Sequence, residues 1–137
     1  MQNQKDRVII DTNLWISFLL TNDTKKLDSI ISDKKLILLF SRELIDEIIE
    51  VTQRKKFRKY FSLEDMENWL FKVRQVSEFI KVKSKITICR DPKDNFLLSL
   101  SIEGNATHLI TGDKDLLVLK NFDSTIILNM ADYLKGL

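Results

Sequence analysis

The 137-residue chain carries 22 basic and 20 acidic residues, with 44% hydrophobic and 31% charged. That balance excludes a disordered or fibrous chain, and the length permits one sizeable core. A net charge of +2 neither requires nor excludes nucleic acid as a partner, since placement of charge matters more than its sum.

One cysteine, Cys89, leaves no internal disulfide and fits a reducing cytoplasm. No run approaches the ~20 apolar residues of a membrane span, and the start MQNQKDRVIIDTN lacks the apolar core of a secretory leader. One proline and three glycines leave no flexible linker, so residues 1–137 read as a single domain.

In chain order, Arg7 to Asp11 (RVIID) predicts a first strand. Asn13 to Leu20 is apolar throughout and reads as a buried helix, and Asp23 or Thr24 is a cap for a short helix through about Ser32. Leu36 to Phe40 (LILLF) is a second strand, apolar as in a parallel strand covered on both faces. Ser41 caps a helix to about Arg54, and Ser62 caps another to about Ser77, with Glu64 and Asp65 in its first turn. Phe79 to Lys83 and Ile86 to Ile88 predict a third strand region. Pro92 opens a helix to Glu103 that Gly104 ends. His108 to Thr111 is a fourth strand, Asp115 to Lys120 a short helix, Thr125 to Leu128 a fifth strand, and Met130 to Leu134 a last helical turn.

Strands alternating with helices predict a three-layer α/β/α sandwich around a mainly parallel five-stranded sheet. Binding crevices in such sheets lie at the C-terminal strand ends, where strand order reverses. Acids gather at those ends: Asp11 after the first strand, and Asp113 and Asp115 after the fourth, in Thr111-Gly112-Asp113-Lys114-Asp115. The helix opened by Pro92 brings Asp91 and Asp94. On the Ser41 helix, at about 100° per residue from Leu44, the apolar face spans about −20° to 140°, and Glu47 falls near −60°. Glu47 is therefore the acid of that helix best placed to reach inward. Converging carboxylates repel one another, and a hard cation such as Mg²⁺ or Mn²⁺ relieves the repulsion. Such ions activate water and clamp phosphate oxygens, the chemistry that cuts phosphodiesters.

Blander roles stand beside these. Asp11 also suits a helix cap, Asp94 suits a helix N-terminus, and Asp91 reads as an N-cap. Asp115 suits a cap or a supporting ligand, and Asn13 a turn residue or a support for Asp11. Thr12 reads as a backbone cap, and Thr111 as a turn residue that touches the site. His108 reads as packed, and Cys89 as buried and inert. Arg54, Lys55, Lys56, Arg58 and Lys59, interleaved with Phe57, Tyr60 and Phe61, suit a phosphate backbone, a solvated face or a protein contact.

Taken in order, IIDTN, SRELIDEI, RDPKDNFLLSLS and TGDKDLL resemble a PIN domain (the PilT N-terminus family), over nearly the whole chain. The wording RDPKDNFLL and LITGDKDLL is similar to the VapC-like branch assigned as toxins of toxin–antitoxin pairs. The resemblance implies the α/β/α fold, a catalytic and metal-binding set of Asp11, Glu47, Asp94 and Asp113, and Mg²⁺ or Mn²⁺. It also implies hydrolysis of RNA, an antitoxin partner and a homodimer. Against a haloacid-dehalogenase-like phosphatase stands Asn13, where a second Asp is needed, and a Rossmann nucleotide site lacks its glycine-rich first turn. A non-catalytic PIN-like module that binds RNA or protein is the alternative.

Overall fold

The computed structural model describes residues 5–21 and 36–136. The elements are β1 (Asp6–Ile10), α1 (Thr12–Thr21), β2 (Leu36–Phe40), α2 (Arg42–Thr52), α3 (Leu63–Arg74), β3 (Ser77–Phe79), α4 (Pro92–Glu103), β4 (His108–Ile110), α5 (Lys114–Leu117), β5 (Asn121–Phe122), β6 (Thr125–Leu128) and α6 (Met130–Lys135). The helix expected up to Ser32 falls outside the described residues.

The sheet runs β3-β2-β1-β4-β6-β5, with every pairing parallel except the last. The α/β/α arrangement anticipated from alternating strands and helices is the one observed. Val8, Ile9, Ile10, Leu38, Leu39, Phe40, Leu109 and Ile110 are at most 1% exposed. Such strands cannot alternate polar and apolar residues, which is why they read as continuous apolar runs. Trp15 packs between Phe40 and Trp69, with ring centroids 5.6 and 5.4 Å away, and joins α1 and α3 to the sheet.

Among the described residues the sheet has six strands, not five. The extra one, β5, is a two-residue edge strand folded back on β6 around Asp123, whose φ of 55° is left-handed. An aspartate tolerates that conformation, but without a glycine the turn carries only a weak hairpin signal.

The third strand is shorter and earlier than expected, and Ile86 to Ile88 is not a strand. Side chains of α4 take its backbone donors instead. The N–H groups of Lys83 and Ser84 donate to Glu103 Oε1 at 3.1 and 2.9 Å, and that of Ile86 to Ser99 Oγ at 3.3 Å. With those donors satisfied, no neighbouring strand is needed.

Gly104 does close α4, but its φ is −90°. Close packing favours the glycine: a Cβ there would stand 3.0 Å from both Leu100 O and Leu39 Cδ1, so its neighbours would have to give way. The left-handed residue is Asn105, at φ 51°.

Candidate metal centre

Between β1 and β4 the chain order of the sheet reverses, so a crevice opens beyond their C-terminal ends. Their register pairs Ile10 with Ile110, which sets Asp11 beside Thr111. The Asp11 N–H extends the ladder to Ile110 O at 3.1 Å, and the Thr111 N–H does the same to Leu128 O at 2.9 Å. Both residues are buried at the top of a fully packed sheet.

Asp11 divides its two oxygens between two tasks. Oδ1 accepts from the Leu14 N–H at 3.0 Å and caps α1, while Oδ2 accepts from the Thr111 hydroxyl. The cap and the site role were alternatives in sequence, and the geometry accommodates both. Burial raises its carboxyl above the usual range. The Thr111 and Leu14 hydrogen bonds oppose that rise, and the charges of Asp113 and Glu47 add to it.

Thr111 also receives the Asp113 N–H on Oγ1 at 3.0 Å. One hydroxyl thus ties Asp11 to the turn that carries Asp113. Asp113 in turn caps α5, accepting from the Asp115 N–H at 2.9 Å. The short helix runs Lys114–Leu117, not to Lys120, and Asp113 rather than Asp115 is its N-cap.

Asp94 sits at the third position of α4. Asp91 caps that helix by accepting from the Lys93 N–H at 3.0 Å, and Pro92 fills the first position. The local code therefore turns Asp94 inward: it is 5% exposed, and its Oδ2 is buried without a hydrogen-bond partner. Its carboxyl faces Asp113. Two carboxylates cannot donate to each other, so the contact becomes a hydrogen bond only when a proton is shared. Asp94 is pushed up to about 7, first by burial, then by that shared hydrogen bond and by the charges of Asp113, Asp91 and Asp115.

Carboxylate oxygens of Asp94, Asp113 and Asp115 lie within 4.8 Å of one another. Asp115, expected only as support, belongs to this tight group, while Asp11 and Glu47 stand outside it. Three converging carboxylates, one with a buried and unpartnered oxygen, fit a hard divalent cation that takes oxygen ligands.

Glu47 points from α2 toward the crevice. It accepts from the Thr12 hydroxyl, and Lys93 Nζ lies 3.8 Å from its Oε2. Thr12 is thus not a backbone cap but the group that orients Glu47. On the other side, Arg90 pairs with Asp115 at 3.0 Å.

Asn13 is exposed, and its side chain makes no hydrogen bond among the described residues. Arg54 is committed to Glu50 at 2.9 Å, within α2. Lys55, Lys56 and Arg58 are exposed on successive turns after that helix, with Lys56 over the Phe57 ring at 5.2 Å. His108 lies at the opposite end of the sheet from Asp11, at the start of β4, with Nδ1 2.8 Å from Thr107 Oγ1.

Sequence reasoning gave no role to Lys93 or Asn95 and read Thr12 only as a backbone cap. The Asn95 side chain accepts from the Cys89 N–H at 2.8 Å and donates to Cys89 O at 3.0 Å, pinning the loop before α4. Its position one turn inside a helix that follows a strandless loop was the available signal.

A PIN domain family model matches residues 7–115, a span that holds every carboxylate of the crevice. The chain belongs to the PIN domain family, whose members are generally nucleases. It is 31% identical over 135 residues to an uncharacterised protein of Methanocaldococcus jannaschii, covering 94% of this chain and 84% of that protein. Its fold matches the crystal structure of VapBC2 from Rickettsia felis bound to a DNA fragment from its promoter. That match has a TM-score of 0.61 and 17% identity, over 90% of this chain and 98% of the other. Among the described residues no helix is long and apolar enough to cross a membrane.

Proposed function

We propose that the protein is a Mg²⁺- or Mn²⁺-dependent endoribonuclease acting as the toxin of a toxin–antitoxin pair. The observation that carries this reading is Asp94, whose carboxylate has a buried oxygen without a partner and lies in one cluster with Asp113 and Asp115. A group so costly to ionise in isolation points to a cation that compensates it.

The catalytic set is Asp11, Glu47, Asp94 and Asp113, with Asp115 as a further ligand. A divalent ion held there supplies water activation and neutralises charge on the phosphate. The protein's own contribution is positional. Thr111 fixes the Asp11 carboxylate, Thr12 fixes Glu47, and the Asp113 cap fixes the Asp113–Asp115 turn. Each support sits on a strand end or helix start, so little reorganisation accompanies the reaction. The exposed run Arg54, Lys55, Lys56 and Arg58 is a secondary candidate for contact with the RNA backbone. Likeness to the VapBC2 assembly supports an antitoxin as protein partner. A homodimer is the family's implication.

The test is cleavage of RNA by purified protein with Mn²⁺, with and without EDTA, beside a folded Asp11→Asn variant. The expected outcome is cleavage that EDTA stops and the variant lacks. Equal cleavage by both proteins refutes the mechanism, and absence of cleavage on any RNA favours a non-catalytic binding module. Growth arrest on expression, relieved by the neighbouring gene product, separates a toxin from a housekeeping nuclease.

A further inference from the structure

Beside Glu47, between α2 and α4, a shallow open cleft is lined by Ser41, Glu43, Leu44, Lys93, Phe96 and Leu97, among others. Lys93 and Phe96 are three residues apart on α4 and so neighbours on one helix face. Leu97, Leu98 and Leu100 of the same helix are buried in the core, whereas Phe96 is 53% exposed. Phe79, another exposed ring, stacks on Phe40, but Phe96 has no ring partner among the described residues.

The Lys93 side chain is 48% exposed, and its Nζ rests 3.8 Å from Glu47 Oε2, itself only 19% exposed. Lys93 is therefore a cation held at the edge of the carboxylate cluster, free to turn outward once Glu47 has another positive partner. A cation beside the reacting centre, one helical turn from an open aromatic face, matches the repeat of a single-stranded nucleic acid. Phosphates meet positive charge and bases stack on rings. Glu43, on the same cleft, disfavours a second phosphate there.

Resting on the nuclease reading above, we infer that this cleft is the subsite for the nucleotide next to the cleaved bond, with Lys93 on its phosphate and Phe96 under its base. The occupant is single-stranded RNA, and the subsite tolerates any base because every base offers a stacking face.

The test is fluorescence anisotropy with labelled octauridylate and an abasic octamer of the same backbone, in Mg²⁺, on the Asp11→Asn background. Adding Phe96→Ala is expected to weaken octauridylate roughly tenfold and leave the abasic octamer unchanged. Adding Lys93→Gln is expected to weaken both oligomers and lower the salt slope by about one. Both side chains are at least about half exposed, so melting temperatures serve to confirm folding. Unchanged affinity in both variants, with wild type still cleaving RNA, overturns the subsite and spares the nuclease reading. Equal loss on both oligomers for Phe96→Ala overturns the stacking role. No binding by any form and no cleavage overturns the subsite and the nuclease together.

Discussion

Asp94→Asn is the perturbation that separates a metal ligand from a structural helix acid. In the metal-free protein the Asp94 carboxyl is raised from 3.8 to about 7, chiefly by burial. Its folded form thus binds a proton more tightly than its unfolded form does. The associated stability is fully present below about pH 4 and is lost as pH rises through about 7. The shift corresponds to at most about 4 kcal/mol at pH 8, and sharing of charge with Asp113 reduces it to about 1–3 kcal/mol. Asparagine keeps the shape, carries no charge and can donate to Asp113. In EDTA at pH 8 the variant is expected to melt several degrees above wild type, at roughly 2–5 °C per kcal/mol for a chain of this size. At pH 5, where Asp94 holds its proton, the gain should vanish. Adding Mn²⁺ should reverse the order, because wild type gains stability from the bound ion and the variant gains far less. The assay is differential scanning fluorimetry across pH 5–8, with EDTA or Mn²⁺. A variant that melts below wild type in EDTA at pH 8, or a wild type indifferent to pH over that range, refutes the reasoning.

Thr111→Val removes the donor to Asp11 and the acceptor of the Asp113 N–H together, and should cost about 1–3 kcal/mol in urea unfolding. Mn²⁺ affinity measured by calorimetry should fall with it, and Thr111→Ser should restore both. Tyr133→Phe deletes the 2.8 Å hydrogen bond to Asp6 near the N-terminal end of β1, away from the crevice. It should cost about 1 kcal/mol in the same unfolding assay and leave RNA cleavage unchanged.

Much of the fold was legible because its central strands are covered on both faces and so spell themselves as RVII, LILLF and HLI. The helix starts at Ser41, Ser62 and Asp91 were legible for a local reason, since each residue caps its own helix. What local pattern could not reveal was long-range satisfaction of backbone donors. Ile86 to Ile88 has strand composition, yet its segment spends its donors on Glu103 and Ser99, residues on a helix still to come. At the site, Asp11, Asp94 and Asp113 were visible as acids at element ends. The membership of Asp115 in the tight group was not, because its side chain appeared as plausible at a helix cap. The bond from Thr12 to Glu47 joins elements 35 residues apart, and nothing in either motif names the other.

The β1–β4 pairing has a consequence for synthesis. Asp11 is made first, and Thr111, which must lie beside it at the end of β4, follows 100 residues later. Until β4 emerges from the ribosome and docks, β1 has one open edge and Asp11 has neither its hydroxyl partner nor the Asp113 turn. The carboxylates therefore converge only after β4 and the turn that follows it have been made. A translating ribosome that has made only β1 to β3 holds a partial sheet without the carboxylate cluster, which forms when β4 docks rather than gradually along the chain.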